Sequence, residues 1–419
     1  MSLVSRHYVL AAGGTGGHLI PAFALAAELH ARGHHVALVT DERGAAIPGK
    51  PDYLPAHILP AGRIAGKNPL GWIKGALGVL EGRRMALRLF DTFEPTAVIG
   101  FGGYPALPTL LAARAAKLPT VLHEQNAVLG RVNRYFAKRV NAIATSSERT
   151  DRLDPSLDAK ITLVGNPVRE EVLTLRDRPF PEFSEDSLLR ILVTGGSQGA
   201  RVLSQIVPEG LAMLPPALRS RLQVIQQCRP EDIEGVRQRY ASHGIPAELA
   251  TYFEDMADRL AGAHLFVGRS GASTIAELTG VGRPAILIPL PYATDDHQTA
   301  NAREIVAAGG ARVIRQPAIT TEDPDAYKGD RRNALLSKQA EIHQQMAKDL
   351  CLQIQAIAQH PDTLANAAHA AWNCGYPNAA KDLADLVESF GAAPIMDVIR
   401  MEKAAAPQGG EALARETAQ

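Results

Sequence analysis

Cysteine is scarce in this chain. Cys228, Cys351 and Cys374 are the only three in 419 residues, an odd number without paired metal-ligand spacing. That points away from a disulfide framework, offers no zinc site and suits a reducing compartment. Net charge is missing as well, because 44 Lys and Arg balance 44 Asp and Glu. No global field draws the chain to nucleic acid or a polyanionic surface, so any affinity for phosphate or membrane must be local. Long apolar runs are absent too. The longest uncharged run, 97–113, is interrupted by Gly100, Gly102, Gly103, Pro105 and Pro108, a pattern of strand, loop and helix rather than a membrane span. The apolar run Tyr8 to Ala12 is too short for an export signal and ends in glycines, so the protein is expected to stay in the cytoplasm.

Three nucleotide-binding patterns also fail. The dinucleotide fingerprint G-x-G-x-x-G breaks at each glycine turn: Leu19 follows Gly14 and Gly16, Pro105 follows Gly100 and Gly102, and the turn Gly195 to Gly199 lacks the spacing. A near phosphate loop, Gly44 to Lys50, carries Pro48 inside and Pro51 where a hydroxyl must follow, which disfavours a nucleoside triphosphatase. The one Asp-x-Asp, at Asp323 and Asp325, sits in a Pro-bearing polar segment far from the glycine turns, so no metal-clamped diphosphate is expected.

What the chain does contain is one composition suited to globular cores, 46% hydrophobic and 21% charged, and one device used repeatedly. A short apolar strand runs into a glycine turn and then a helix. It occurs at Tyr8 into Gly13 to Gly17 with a helix over Pro21–Arg32 and a strand over His35–Thr40, and again at Ile191 to Thr194 into Gly195 to Gly199 with a strand over Leu222–Gln226. Further strands are expected at 97–99, 120–122, 142–144, 161–164, 251–253, 265–267 and 285–288. The repeat predicts an α/β chain of two doubly wound domains with ligand in the cleft between them. Residues 1–165 would form the first domain, 166–390 the second, with the last helix able to pack back on the first, and 391–419 a flexible tail rich in Ala, Glu and Gly.

The stretch from His264 to Ala302 organises the second half. The strand Leu265 to Val267 breaks at Gly268-Arg269-Ser270-Gly271 into a helix near Ala272, leaving the first backbone N–H groups of that helix for an anion, which gains roughly 0.3–1 kcal/mol from the helix dipole. Glu277 could accept ribose hydroxyls, and Asp295 to Gln298 close the outline of a nucleotide-sugar pocket. The competing reading of each residue alone is a solvated face.

The runs RSGASTIAEL (269–278) and DDHQTANA (295–302), with AAGGTGGHLIPA, GFGGYPALP, HEQNAVLG, GNPVR and GGSQGAR in order, resemble the MurG family of N-acetylglucosaminyltransferases, which make lipid II. The resemblance covers most of the chain to about residue 320. It implies the two-domain GT-B glycosyltransferase fold, the donor UDP-N-acetylglucosamine, the acceptor lipid I, inversion at the anomeric carbon to a β-1,4 link, no cofactor, and a peripheral place on the cytoplasmic face of the bacterial inner membrane. By the same resemblance the uracil sits against the backbone at Phe253 and near Arg169, the ribose on Glu277, and the diphosphate near Ser197 and Ala272-Ser273-Thr274, while Gln298 reads the sugar hydroxyls. Thr15, Gly16, Gly17 and Asn126 reach the donor from the first domain. His18, Tyr104, His123 and Glu124 line the acceptor side, with His18 and Glu124 the candidate catalytic residues. For His123 and Glu124 the alternative is a strand-end salt bridge, and for His18 a residue that only closes its turn.

The chain departs from the family in three places: a polar segment, 320–348, reads as an inserted charged helix, the tail after Phe390 reads as a flexible extension, and Asp296 stands where a basic residue or His is common. Another segment, 67–88, places Trp72, Ile73, Ala76, Leu77 and Leu80 at helical spacing among Lys67, Lys74, Arg83, Arg84 and Arg88. Core packing would explain the stripe; the glycines at 71, 75, 78 and 82 and the local basic charge favour a surface that docks on anionic lipid. A UDP-N-acetylglucosamine 2-epimerase and a non-catalytic nucleotide-sugar binder are the other readings of the chain.

Overall fold

The computed structural model describes residues 5–60, 69–184, 186–196 and 199–390. Its first sheet contains β1 (His7–Ala11), β2 (His35–Thr40), β3 (Ala56–Ile58), β4 (Ala97–Gly100), β5 (Thr120–Glu124), β6 (Ala142–Thr145) and β7 (Ile161–Leu163). The second contains β8 (Leu189–Thr194), β9 (Leu222–Gln227), β10 (Ala247–Ala250), β11 (Leu265–Gly268), β12 (Ala285–Leu287) and β13 (Ala311–Val313). Every pairing is parallel, in the orders β3-β2-β1-β4-β5-β6-β7 and β10-β9-β8-β11-β12-β13. Strands covered by helices on both faces must be apolar throughout, which is why VALV, AVIG and LFVG are continuous rather than alternating runs.

This is the two-domain GT-B arrangement, and each sheet reverses its strand order once, between β1 and β4 and between β8 and β11. One face of the first sheet packs Tyr8, Leu10 and Ile99 on the helix Gly16–Ala31. The other packs Val9, Val98 and Ile143 under the helices Pro69–Phe93 and Ala106–Ala115.

Three expectations change here. Residues 251–253 are not a strand; the strand lies one step earlier, at Ala247–Ala250, where Leu249 pairs with Gln226. The alternation Ala-Glu-Leu-Ala of an edge strand is weak, whereas the Thr-Tyr-Phe run that looks β-prone belongs to the loop that follows. The charged segment at 320–348 is also no surplus insertion. Residues 318–321 and 324–326 form short turns, and the helix Gly329–Ala358 buries Leu335, Met346, Leu350 and Ile354, packing along the helix Arg201–Ala212. A Cβ at Gly210 would stand 2.7 Å from the Ala347 carbonyl oxygen, so glycine permits that close approach. Thirdly, the glycines of the helix Pro69–Phe93, read as favouring a docking surface, include two that face inward: Gly75 and Gly82 are buried, and a Cβ at Gly82 would meet the Pro60 carbonyl at 2.5 Å.

The helix Ala379–Ser389 follows the second sheet in sequence yet packs on the first body. Leu383, Ala384 and Val387 join Leu19, Leu25 and Tyr8, while Glu388 accepts bonds from Arg32 at 2.9 Å and His34 at 2.6 Å. Since Leu383 is fully buried there, Leu383→Ala should cost about 2–5 kcal/mol. Hydrogen exchange should accelerate in Gly16–Ala31 and leave β8, β11 and β12 unchanged. Equal acceleration in both sheets would contradict this placement.

Candidate functional site

A parallel sheet opens a crevice at the carboxyl ends of the strands where its order reverses. The turns at those points carry the glycine motifs: 12–15 after β1, 101–105 after β4, 195–196 after β8 and 269–271 after β11. Gly14, Gly102, Gly103 and Gly196 have φ of 83°, 82°, 75° and 77°, a region closed to most side chains. The helices Gly16–Ala31 and Ala272–Val281, one from each body, meet across the cleft.

On the second body's wall, the helix Ala272–Val281 begins at Gly271 without a side-chain cap and without an acidic residue in its first turn. Its end is closed by Gly282 in the left-handed conformation. The N–H groups of Ala272, Ser273 and Thr274 are therefore the helix's uncapped positive end, and the buried Ser273 hydroxyl has no partner. Glu277 lies one turn on. Its Oε1 accepts from Arg169 Nε at 3.2 Å and Nη2 at 2.9 Å, and burial raises its pKa while Arg169 opposes the shift. Arg169, drawn by resemblance to the uracil, and Glu277, drawn to the ribose, thus share one ion pair. Phe253 is buried beneath the Arg259 guanidinium, 4.3 Å from its ring centre, so only its backbone is available to a base. Gln298 Oε1 accepts from Leu290 N at 2.9 Å, leaving the amide nitrogen for a sugar. Ser197 lies outside the described residues.

On the first body's wall, Thr15, Gly16 and Gly17 form the start of the helix, Thr15 exposed and its carbonyl accepting from His18 and Leu19. Tyr104 is 38% exposed in the turn after β4. His18 is oriented by a chain of hydrogen bonds whose proton positions follow from the one group that can only accept. The Gly165 carbonyl requires His123 Nε2 to carry hydrogen, at 3.0 Å. His123 Nδ1 must then accept from Gln125 Nε2, also 3.0 Å. Gln125 Oε1 is left facing His18 Nδ1 at 3.2 Å, so that nitrogen donates and His18 Nε2 keeps its lone pair. Burial, reinforced by His297, pushes the His18 imidazole down to about 4.

The acceptor-side assignments of His123 and Glu124 do not survive. His123 is fully buried with both ring nitrogens bonded, and burial takes its pKa to about 4. Glu124, 2% exposed, accepts from Asn126 N and Nδ2 on one oxygen and from Gly130 N and Asn133 Nδ2 on the other. It shapes a loop; no lone pair is left to serve as a base, and no salt bridge forms. Asn126 is half-exposed and also joins the two bodies: its Nδ2 donates to Glu124 and its Oδ1 accepts from Asn301, which leaves one amide hydrogen and one lone pair toward the cleft. Asp295 turns away from the pocket to Arg152 at 2.8 Å and Arg134 at 3.5 Å.

Four residues escaped the sequence reading. Asp41 accepts from Gly14 N at 3.0 Å and holds the first glycine turn, and Gln125 orients His18. Arg269, 8% exposed, ties the end of β11 to the Ile288 carbonyl and Gln316. Asn301 bonds Ala127 N, Asn126 and the Ser270 carbonyl. Gln125, Arg269 and Asn301 all sat inside quoted motifs but were given no role, because the motif order points to their ligand-facing neighbours; Asp41 is a single polar residue beside a turn and carries no spacing signal.

Comparison with known proteins places these features together. Residues 8–145 match the Glycosyltransferase family 28 N-terminal domain and 190–348 its C-terminal domain. The UDP-N-acetylglucosamine–N-acetylmuramyl-(pentapeptide) pyrophosphoryl-undecaprenol N-acetylglucosamine transferase of Novosphingobium aromaticivorans is 70% identical, over 98% of this chain and 99% of its own. That of Erythrobacter litoralis is 64% identical over the full length of both. Among solved structures, MurG of Acinetobacter baumannii aligns with a TM-score of 0.64 at 26% identity, covering 92% of this chain and 99% of that one. A UDP-GlcNAc 2-epimerase from Neisseria meningitidis aligns with 0.59 at 13% identity, covering 90% of this chain and 98% of its own, a likeness of fold alone.

Three histidines, His18, His123 and His264, are each held at about 4 by burial. Their ordinary value is about 6.5. The unfolded chain binds protons between those values that the folded chain refuses, so stability is full above pH of about 6.5 and falls as pH drops toward 4, by at most about 1.4 kcal/mol per pH unit for each. Ring nitrogen shifts measured by NMR should remain those of neutral imidazole at pH 5.5. Imidazolium signals from these rings at that pH would refute the assignment.

Proposed function

Because the chain belongs to the MurG family of family 28 glycosyltransferases, we infer that the cleft between the two switch points is where donor and acceptor react. The enzyme transfers N-acetylglucosamine from UDP-N-acetylglucosamine to lipid I, giving lipid II for peptidoglycan. The observation that carries the residue assignment is the tautomer chain, which leaves His18 Nε2 as a proton acceptor beside the cleft turn of Gly103.

In this reading the 4-hydroxyl of N-acetylmuramic acid attacks the anomeric carbon, the bond from that carbon to the diphosphate breaks, and the hydroxyl proton passes to His18 Nε2. A base of low pKa is neutral at pH 7, so its lone pair is available, and it takes the proton only as the oxygen becomes acidic in the transition state. The leaving diphosphate gathers negative charge at the uncapped start of Ala272–Val281, where oriented N–H groups need no rearrangement to receive it. Glu277 accepts the ribose hydroxyls through Oε2 while Arg169 fixes Oε1. Tyr104, Thr15, Gly16 and Gly17 face the acceptor and sugar from the first body.

Among the described residues no helix is long and apolar enough to cross a membrane, so a lipid-linked acceptor must be met from outside. The helix Pro69–Phe93 supports such a contact. Its inner side buries Val79, Ala86 and Phe90, while Ile73, Leu77 and Leu80 are 59%, 61% and 52% exposed beside exposed Lys74, Arg84 and Arg88. The side chain of Trp72 and all of Lys67 lie outside the described residues. An exposed apolar stripe with basic neighbours suits an anionic bilayer, each inserted side chain contributing up to about 1.5–3 kcal/mol.

Incubation of the purified protein with UDP-N-acetylglucosamine and a lipid I analogue tests the activity: a disaccharide product is expected, whereas isomerised UDP-sugar alone would indicate an epimerase and no turnover a binder. Glu277→Ala should weaken UDP binding by about tenfold or more in calorimetry, since a charge-assisted bond is worth roughly 1.5–3 kcal/mol; unaltered affinity would remove Glu277 from the donor site. The triple change of Trp72, Ile73 and Leu77 to Ser should reduce binding to anionic vesicles and slow transfer to a long-chain acceptor, while a water-soluble acceptor is used normally. Undiminished vesicle binding would move the docking surface elsewhere.

A further inference from the structure

The helical turn His297–Asn301 carries Gln298 and Asn301 three residues apart, hence on one side of the helix. Both are tied to the turn after β11. The Ser270 hydroxyl donates to the Gln298 carbonyl at 2.8 Å, and Asn301 Nδ2 donates to the Ser270 carbonyl at 3.1 Å. Ser270 is fully buried, immediately before the helix start assigned to the diphosphate.

Asn301 alone among these reaches the other body as well. Its Oδ1 accepts from Ala127 N at 2.8 Å, and its Nδ2 donates to Asn126 Oδ1 at 3.2 Å. Ala127, Val128 and Ala300 form a small apolar cluster around this crossing, and Asn301 itself is 8% exposed. The bodies are also linked by Arg152 to Asp295 and Arg303 to Asp151, whose arginines are open to water and contribute little, and by Glu304, whose carboxylate accepts from Ser147 Oγ and Glu148 N but makes no bond to the Ser270 turn. The loop on the far side of the crossing is the one Glu124 shapes, and it carries Gln125, which orients His18. A displacement of that loop therefore moves both the base and the donor turn relative to each other.

We propose that Asn301 is a positioning residue for transfer: it locks the Ser270 turn of the donor body to the Gln125–Ala127 loop of the acceptor body and so sets the distance from His18 to the anomeric carbon. The proposal rests on the cleft being the transfer site. It separates binding of UDP, whose assigned residues all lie on the second body, from turnover, which requires both walls in register. A misplacement of about 1 Å is enough to cost a factor of order 10² in rate.

The test compares Asn301→Ala with the isosteric Asn301→Asp in the full chain. Both should lower kcat at least about tenfold while UDP affinity, measured by calorimetry, stays within about twofold. Aspartate should be the worse of the two, because it sets a carboxylate oxygen against two acceptors, Asn126 Oδ1 and the Ser270 carbonyl. A residue that merely fills space would show the reverse order. The Ala127 amide, which donates to Asn301 Oδ1, should exchange slowly in the unaltered protein and rapidly in Asn301→Ala, which removes that acceptor; Asn301→Asp keeps it. Arg303→Ala serves as the control and should leave kcat within about twofold, as expected for an exposed pair. A milder Asp variant, an Ala127 amide unaffected by Asn301→Ala, or a loss of UDP affinity equal to the loss of kcat would each overturn the proposal. Should the unaltered protein transfer nothing, the transfer reading fails separately, and amide exchange with UDP affinity still decides whether Asn301 joins the bodies.

Discussion

The carboxylate of Glu124 is the interaction on which most of the cleft depends. It sits at the end of β5 with almost no contact with water, and four N–H donors from Asn126, Gly130 and Asn133 surround it. A charge so buried is tolerable only when its lone pairs are all used. Satisfying them bends residues 124–133 into one fixed loop. From that loop Gln125 faces His18, and Asn126 and Ala127 face Asn301, so one buried anion sets both the orientation of His18 and the seat of the opposite body. The opposing effects on its pKa, burial raising it and the hydrogen bonds lowering it, express the same balance.

Around this loop the architecture follows from strand direction. Parallel strands send all their carboxyl ends the same way, and the reversal of order beside β1 and beside β8 opens one crevice in each sheet. Two such crevices facing each other give a cleft with helix N-termini and glycine turns on both walls. That geometry sets an uncapped helix start on one wall and the His18 imidazole on the other.

The strand-turn-helix units were legible because strands covered on both faces need unbroken apolar runs, and because turns with positive φ need glycine. For that reason β2 was read with its own ends, whereas the helix expected over Pro21–Arg32 begins earlier, at Gly16, inside the glycine run. β3 and β13 were not read; each is three residues long and sits at a sheet edge, where side chains are mixed and pairing depends on the neighbour. Among site residues, Glu277 and Gln298 stood out because helix periodicity and motif order place them. His123 and Glu124 were misread for a physical reason: a strand end leads equally well into a cleft or beneath a loop, and only the donors that converge on Glu124 decide which. The stripe on Pro69–Phe93 shows the converse, since apolar spacing alone does not tell which side of a helix meets the core; the buried glycines, Gly75 and Gly82, mark the inner side.

The return of Ala379–Ser389 to the first body bears on how the chain is built up during synthesis. Residues that cover Leu19, Leu25 and Tyr8 lie more than three hundred positions downstream of them, so the half made first keeps an apolar face open until the second half has been translated. The two bodies are then not independent beads on a string: completion of the earlier one awaits the later, and an interval exists in which that uncovered face is available to a chaperone or to a neighbouring nascent chain.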